Sequence, residues 1–178
     1  MERFVYCTMY SFISKHSLLS DTQFDFVPGK STQGLLEDFV GMLYYAFDHN
    51  LVALCLALDL RKAFDSVSHQ SLLCKLYAYG FRGRCYEWLM DFLSNTTQAV
   101  CICDEISNDV LLRRGVPKGS VLGALLFNLY VNDLFRCVTL CKLFQYADDT
   151  LLLAVHSSIR QATDMLQIDP SAVFDWFK

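Results

Sequence analysis

The sequence predicts an α/β (α+β) fold in which helices pack on an antiparallel sheet. Short apolar runs bounded by turn residues alternate with amphipathic stretches at helical spacing. Two of these runs, Leu140–Phe144 and Thr150–Val155, flank an acidic tetrapeptide and predict a β-hairpin. Of the 178 residues, 53% are hydrophobic and 19% are charged, which supplies a core. We therefore expect one folded domain, or one domain with part of a second.

The first third of the chain predicts two helices followed by a strand. The mixed apolar pattern of residues 1–20 indicates a helix, and a second helix begins where Ser31 or Thr32 can cap it. That helix ends at Asn50. The nearly unbroken apolar run Leu51–Leu60 predicts a fully buried strand, with a segment of buried helix as the alternative.

The rest of the chain alternates helices with short strands. Two helices precede a hairpin, and a third follows a glycine-rich loop. Asp169-Pro170 is expected to interrupt the last helix, because proline removes a backbone donor. The predicted elements are helices from Ser68 to Gly80 and from Arg84 to Leu93, strands Thr97–Cys103 and Asp109–Arg113, and helices Val121–Phe135, Ser158–Leu166 and Ala172–Phe177.

Composition excludes several classes of protein. The apolar runs fall short of the ~20 residues that a membrane span needs. The eight cysteines include no Cys-x-x-Cys pair and no zinc-ligand spacing, which predicts reduced thiols lying mostly in the core of an intracellular protein. The net charge of -4 is unusual for a protein that binds nucleic acid, since such proteins usually have a basic face.

Two adjacent carboxylates, Asp148 and Asp149, lie at the tip of the predicted acidic hairpin. Like charges this close repel unless a cation or a proton compensates, and Mg²⁺ prefers hard oxygen ligands. A third carboxylate, Asp59, lies at the end of an apolar run, where a charge is costly unless it is paired or binds metal. The residues alone leave open a solvated turn at Asp148-Asp149 and a plain loop start at Asp59.

The loop Gly115–Ser120 leads into the predicted helix from Val121. Glycine lets a backbone, phosphate or sugar approach closely, and the N–H groups at a helix start face such a group. A loop of this kind, between carboxylates on separate strands, suits phosphoryl transfer by two metal ions. Such ions activate a 3′ hydroxyl and stabilise the leaving pyrophosphate. The four histidines show neither nucleophilic nor metal-ligand spacing.

Four segments, taken in order, resemble the reverse transcriptase domain of non-LTR (LINE-like) retrotransposons over most of residues 20–178. Ala57–Val67 resembles the first catalytic motif of that family, Gly115–Phe127 the second and Tyr146–Asp149 the third. Gln23–Thr32 resembles a segment of the family's fingers. The resemblance implies a polymerase palm with an antiparallel sheet and packed helices, plus partial fingers.

The resemblance also implies roles for single residues. Asp59, Asp148 and Asp149 would be the catalytic carboxylates that bind metal, and the backbone carbonyl of Leu60 would complete one metal shell. Phe64 would screen the 2′ position of the incoming sugar, with packing under the strand as the alternative. The resemblance also implies that the nucleotide is contacted by Arg61, Lys62, Lys118 and Gly119. Nucleic acid would be contacted by Gly29, Lys30 and Ser31.

The chain departs from the family pattern at four positions, which lie in two segments. Lys118 replaces a usual glutamine, so an acceptor is lost and a charge is added, and Ala124 replaces a usual proline. In the upstream segment, Asp25 replaces a usual glycine and Val27 a usual arginine, which removes a cation suited to phosphate. We expect a domain truncated at both ends, with residues 1–50 as partial fingers, 51–157 as the palm and 158–178 as the start of C-terminal palm or thumb-side helices.

The expected function is RNA-directed DNA polymerisation, by a fragment with impaired activity, with Mg²⁺ or with Mn²⁺ in its place. The expected partners are an RNA template, a DNA primer and deoxynucleoside triphosphates, without membrane contact, in the cytoplasm or nucleus. The alternative is a non-catalytic retroelement remnant that at most binds nucleic acid or a protein partner. Intact carboxylates favour the enzyme, whereas truncation, Lys118 and the acidic charge favour the remnant. A nucleotide cyclase would need a Gly-Gly-Asp or Gly-Gly-Glu hairpin, which Tyr146–Asp149 does not provide.

Overall fold

The computed structural model describes residues 1–117 and 119–177, which divide into two compact units. Unit 1 comprises Met1–Leu18 and Lys62–Tyr130, and unit 2 comprises Leu19–Arg61 and Val131–Lys178. Helices and antiparallel strands occur in both units, so the α/β (α+β) class is confirmed. The expected boundaries after residues 50 and 157 stay predictions.

The helices and strands follow the predicted order, with differences in extent. Within the described ranges, no helix is both long and apolar enough to cross a membrane. The helices are α1 Glu2–Lys15, α2 Thr32–Asp48, α3 Ala63–Ser66, α4 His69–Ala78, α5 Gly83–Ser94, α6 Val121–Val131 and α7 Ile159–Trp176, with a 3₁₀ turn at Leu134–Arg136. The strands are β1 Val52–Leu58, β2 Thr97–Gln98, β3 Cys101–Ile102, β4 Glu105–Ile106, β5 Val110–Leu111, β6 Lys142–Tyr146 and β7 Asp149–His156.

Unit 2 is built on a three-stranded antiparallel sheet in the order β1-β7-β6. Leu58 lies opposite Thr150 in one pair of strands, and Tyr146 lies opposite Asp149 in the other. The prediction that β1 is fully buried is wrong, because Cys55 and Ala57 are exposed. In this sheet β1 is an edge strand, so a neighbouring strand covers it on one side only.

Helix α2 packs one face onto this sheet. Leu35, Phe39 and Leu43 lie against a core of Phe24, Phe144 and Leu153, and the rings of Phe39 and Phe144 meet edge to face at 5.7 Å. On β7, Leu152 and Ala154 are also fully buried. Because successive strand residues point to opposite faces, both faces of β7 are covered.

Helix α7 continues through the proline that was expected to end it. The prediction of a break at Asp169-Pro170 is wrong, and the buried Asp169 carboxylate gives the physical reason. It accepts hydrogen bonds from the backbone N–H groups of Thr139, Leu140 and Cys141 at 3.1, 2.9 and 2.6 Å. These bonds fix the turn of helix around Pro170 and offset the donor that proline lacks.

In unit 1, Ser68 caps α4 as predicted. Ser68 accepts a hydrogen bond from the N–H of Ser71, and Gly80, with φ +102°, follows the end of α4. The predicted hairpin between residues 97 and 113 is present but broken into two pairs, β2 with β5 and β3 with β4. All eight residues of these strands are exposed, so no packing extends the pairing.

The cysteines are reduced, as predicted, but the expectation that most lie in the core is wrong. Five of the eight are exposed and three are half-buried. Cys101 and Cys103 belong to the exposed β3–β4 hairpin, where the apolar run leads to no core. The error arises because a run of apolar residues predicts burial only when the strand packs against something.

Candidate active site

The acidic hairpin is formed by β6 and β7, and its turn contains two residues, Ala147 and Asp148. Tyr146 pairs with Asp149 across the base of the turn. Ala147 has φ +52°, a conformation that costs a non-glycine residue of order 1–3 kcal/mol. The surrounding structure must therefore hold the turn in place.

Gln23 supplies such a hold, and sequence reasoning gave it no role of its own. Its side chain is 2% exposed, and its Nε2 donates a hydrogen bond to the carbonyl of Ala147 at 3.4 Å. Its Oε1 accepts from the N–H groups of Phe24 and Asp25 at 3.0 and 3.2 Å. The backbone of this segment also bridges to Gln145 in β6. The family-like segment Gln23–Thr32 was the available signal, and its first residue supports the acidic turn.

The hairpin has a second link to the same segment through Tyr146. Partial burial raises the pKa of the Tyr146 phenol, and its hydrogen bond to Asp25 and the charge of that carboxylate raise it further. Asp25 stands where the related sequences usually have glycine, so this departure from the pattern has a specific partner at the hairpin. Tyr146 therefore links the acidic hairpin to the segment Gln23–Thr32.

Two of the three predicted carboxylates, Asp59 and Asp149, line one cavity of about 310 Å³ in unit 2. The register explains why. Leu58 and Thr150 form the last pair between β1 and β7, and Asp59 and Asp149 are the residues next to them at that end of the sheet. Asp148 is half-buried in the adjoining turn, whereas Asp59 and Asp149 are exposed.

This donor set fits a hard divalent cation in its chemistry. Among residues 1–117 and 119–177, no lysine or arginine forms an ion pair with any of the three aspartates. Clustered carboxylate oxygens without a counter-charge are the ligands that Mg²⁺ and Mn²⁺ take. Within the same ranges, no three histidine, cysteine or acidic side chains lie close enough together to hold a metal as they stand. The chemistry of these side chains thus suits a divalent metal, but the described residues do not form a closed metal site.

The glycine-rich loop is fixed in unit 1 by α3. The N–H of Gly115 donates to Val67 O at 2.8 Å, and the N–H of Val116 donates to Phe64 O at 2.9 Å. A Cβ on Gly115, whose φ is +91°, would lie 2.9 Å from the Cα of Asp65. Gly119 differs, because with φ +79° it has open space where a Cβ would be. Lys118 lies outside the described residues.

A family model described as "Reverse transcriptase (RNA-dependent DNA polymerase)" matches residues 2–178. The chain belongs to the reverse transcriptase family. The resemblance drawn from the four motifs is confirmed. Reverse transcriptases generally depend on divalent metal ions, which agrees with the chemistry of the carboxylate set.

Curated relatives from mobile elements give the same result. The chain is 29% identical to "Probable RNA-directed DNA polymerase from transposon BS" of Drosophila melanogaster over 99% of its own length. It is 32% identical over 75% of its length to the X-element enzyme and 30% identical over 86% to the enzyme of mobile element jockey, both from the same fly. It spans only 20%, 14% and 18% of these relatives, respectively.

The residues that follow Asp59 in this chain have varied surroundings. Leu60 is half-buried, Arg61 and Lys62 are exposed, and Lys62 has φ +56° at the start of α3. Phe64 is half-buried, and its ring stacks on that of Phe127 at 4.3 Å and 21°. Phe64 thus packs against α6 within unit 1, and both readings, packing under the strand and a role towards a sugar, stay predictions.

The three residues predicted to contact nucleic acid have structural roles of their own. Gly29, with φ +84°, follows Pro28 in a turn closed by the N–H of Lys30 donating to Val27 O at 3.0 Å. Lys30 Nζ donates to Asp21 O at 2.7 Å and lies 5.0 Å from the ring centre of Phe24. Ser31 caps α2 by accepting from Gly34 N at 3.1 Å. Contact with nucleic acid stays a prediction for all three.

Proposed function

We propose that this chain is the part of a retroelement reverse transcriptase that joins deoxynucleotides to a DNA primer on an RNA template, with Mg²⁺ or Mn²⁺. The observation that supports this is the cavity shared by Asp59 and Asp149, beside Asp148, in a chain that matches the family over residues 2–178. We place this activity inside the cell, in the cytoplasm or nucleus.

In this proposal Asp59, Asp148 and Asp149 hold the metal ions. Bound metal would lower the pKa of the primer's 3′ hydroxyl and neutralise the departing pyrophosphate. Gln23 keeps the acidic turn in its strained conformation, and bound metal would draw the three carboxylates together. The carbonyl of Leu60 adds a neutral oxygen ligand.

The remaining residues act on the nucleotide and the template. Gly119 has an open surface that admits the backbone or sugar of a ligand. Arg61, Lys62 and Lys118 screen the triphosphate charge, and Phe64 excludes a 2′ hydroxyl. The proposal also divides the chain into fingers at 1–50, palm at 51–157 and C-terminal helices at 158–178. In addition, we propose that nucleic acid is contacted by Gly29, Lys30 and Ser31.

Incorporation of a single deoxynucleotide into an RNA-templated DNA primer tests the proposal. We expect incorporation with Mg²⁺ or Mn²⁺ that Asp148→Asn and Asp59→Asn each reduce by about 10² or more. The matched control is Asp164→Asn, because Asp164 is exposed on α7, outside the cavity. Equal rates in Asp148→Asn and Asp164→Asn, or no incorporation by the unchanged chain, would contradict the proposal and favour a non-catalytic remnant.

A further inference from the structure

Helix α2 has a second apolar face that the fold does not use. Four exposed apolar residues on this face are spaced by four, four and three positions, so they form one stripe along the helix. The same stripe borders an open groove of about 580 Å³ that includes Gly41, where a Cβ would meet nothing within 4 Å. The stripe residues and their exposed fractions are Leu36 56%, Val40 40%, Tyr44 68% and Phe47 80%.

This stripe is separate from the face that packs on the sheet. The core face is formed by Leu35, Phe39 and Leu43, which lie against Phe144 and its neighbours. At ~100° per residue, the stripe begins beside that face and extends about a quarter of the way around the helix. A row of large apolar side chains exposed to this degree marks an interaction surface more often than a solvated one.

Charge limits what this surface can bind. Glu37 and Asp48 lie along the outer edge of the stripe, and α2 contains no lysine or arginine. Glu37 accepts a hydrogen bond from Gln33 at 2.8 Å, which leaves its negative charge at the groove. A nucleic-acid backbone or an anionic lipid surface would be repelled by this edge.

A second copy of the chain packed antiparallel on α2 is also disfavoured. If two α2 helices met antiparallel through their stripes, the two-fold axis would place both acidic edges on the same side. Glu37 of one copy would then lie within about one helical turn of Asp48 of the other, twice per dimer. Like charges brought together at the rim oppose such pairing.

We propose that the α2 stripe binds an amphipathic helix of a partner protein that has basic residues along one edge. The partner's apolar side chains fill the groove beside Tyr44 and Val40, and its lysine or arginine residues face Glu37 and Asp48. The 17 residues of α2 give ~25 Å of surface, enough for four to five turns of helix. This inference goes beyond the polymerase function and does not depend on it.

The test uses the full chain and a fluorescent model peptide made of leucine and lysine in an amphipathic helical pattern. Fluorescence anisotropy should show saturable binding that Tyr44→Ser weakens by about tenfold or more. The matched control is Ile106→Ser, which removes an equally apolar side chain, 71% exposed, from the β3–β4 hairpin and should leave binding unchanged.

A charge exchange supplies a second, independent readout. The double variant Glu37→Lys with Asp48→Lys should lose affinity for the leucine-lysine peptide and gain affinity for a leucine-glutamate peptide. Equal effects of Tyr44→Ser and Ile106→Ser, or no response to the charge exchange, would overturn the proposal. So would sedimentation showing a dimer of the unchanged chain that Tyr44→Ser abolishes, since a second copy would then occupy the stripe.

Discussion

At the scale of single residues, Phe64 has two roles to separate. Its ring stacks on Phe127, and the family resemblance also assigns it the screening of a sugar. If it screens, Phe64→Val should admit ribonucleotides more readily, because the steric wall becomes smaller. We also expect the free energy of unfolding to fall by about 1 kcal/mol as the ring contact is lost. The measurement is the ratio of ribonucleotide to deoxynucleotide incorporation.

Phe92→Val is the matched control for this change. Phe92 is also half-buried in unit 1, and its ring stacks on Trp88 at 5.2 Å. It should cost comparable stability and leave sugar preference unchanged. A Phe64→Val variant that destabilises the chain without altering the ratio would assign Phe64 to packing alone.

Cys141 gives a second prediction at this scale. Burial, the charge of Asp169 and a hydrogen bond to that carboxylate together raise the pKa of its thiol to about 12. At pH 8 very little thiolate is present, so Cys141 should react with iodoacetamide far more slowly than the exposed Cys7 and Cys101. Mass spectrometry of timed digests measures the rates, and similar rates at all three positions would show that Asp169 does not contact the thiol.

At the scale of elements, Asp169 joins α7 to the segment that leads into β6. Burial alone would raise the pKa of Asp169, but hydrogen bonds from Cys141, Thr139 and Leu140 outweigh it and hold the pKa below its ordinary value. A carboxyl with a lowered folded-state pKa stabilises the fold above its unfolded-state value. That stability is lost as the pH falls through the folded-state value.

Asp169→Asn should therefore destabilise the chain by about 3 kcal/mol near neutral pH, because a buried set of charge-assisted hydrogen bonds is broken. The difference in free energy of unfolding between the two proteins should shrink below about pH 4. Urea unfolding at a series of pH values measures it. A difference that stays constant down to pH 2 would show that the ionised carboxylate contributes nothing.

The elements also show why some predictions were right and others wrong. The acidic hairpin was predictable because two β-compatible runs and a tight polar link are local signals. The continuity of α7 was not, because it depends on bonds between Asp169 and residues about 30 positions away. The exposure of β1 follows from its edge position, which depends on strand order rather than on its own residues.

Some features of the candidate site were also predictable from the sequence, and others were not. Spacing and resemblance were enough to select Asp59, Asp148 and Asp149. The register that ends with Leu58 opposite Thr150, and the support of the turn by Gln23, both result from pairing across long sequence separations. Short motifs report the chemical groups of a site, whereas its supporting contacts are visible only in the folded chain.

At the scale of the whole molecule, the net charge of -4 is distributed unevenly. Unit 2 contains twelve aspartates and glutamates against six lysines and arginines, while unit 1 contains seven against nine. The acidic excess thus lies in the unit with the candidate metal ligands. An overall acidic chain is therefore compatible with a polymerase function, because bound divalent metal would offset part of this excess.

Binding of Mn²⁺ to the unchanged chain, followed by electron paramagnetic resonance, tests whether Asp59, Asp148 and Asp149 form a metal site. We expect saturable binding of Mn²⁺ for which Mg²⁺ competes. Asp148→Asn and Asp59→Asn should each weaken this binding by about tenfold or more, and Asp164→Asn should leave it unchanged. Binding should also raise the melting temperature, which should continue to rise with metal concentration above Kd. Absence of Mn²⁺ binding, or equal affinity in the Asp148→Asn and Asp164→Asn variants, would contradict a metal site at these aspartates.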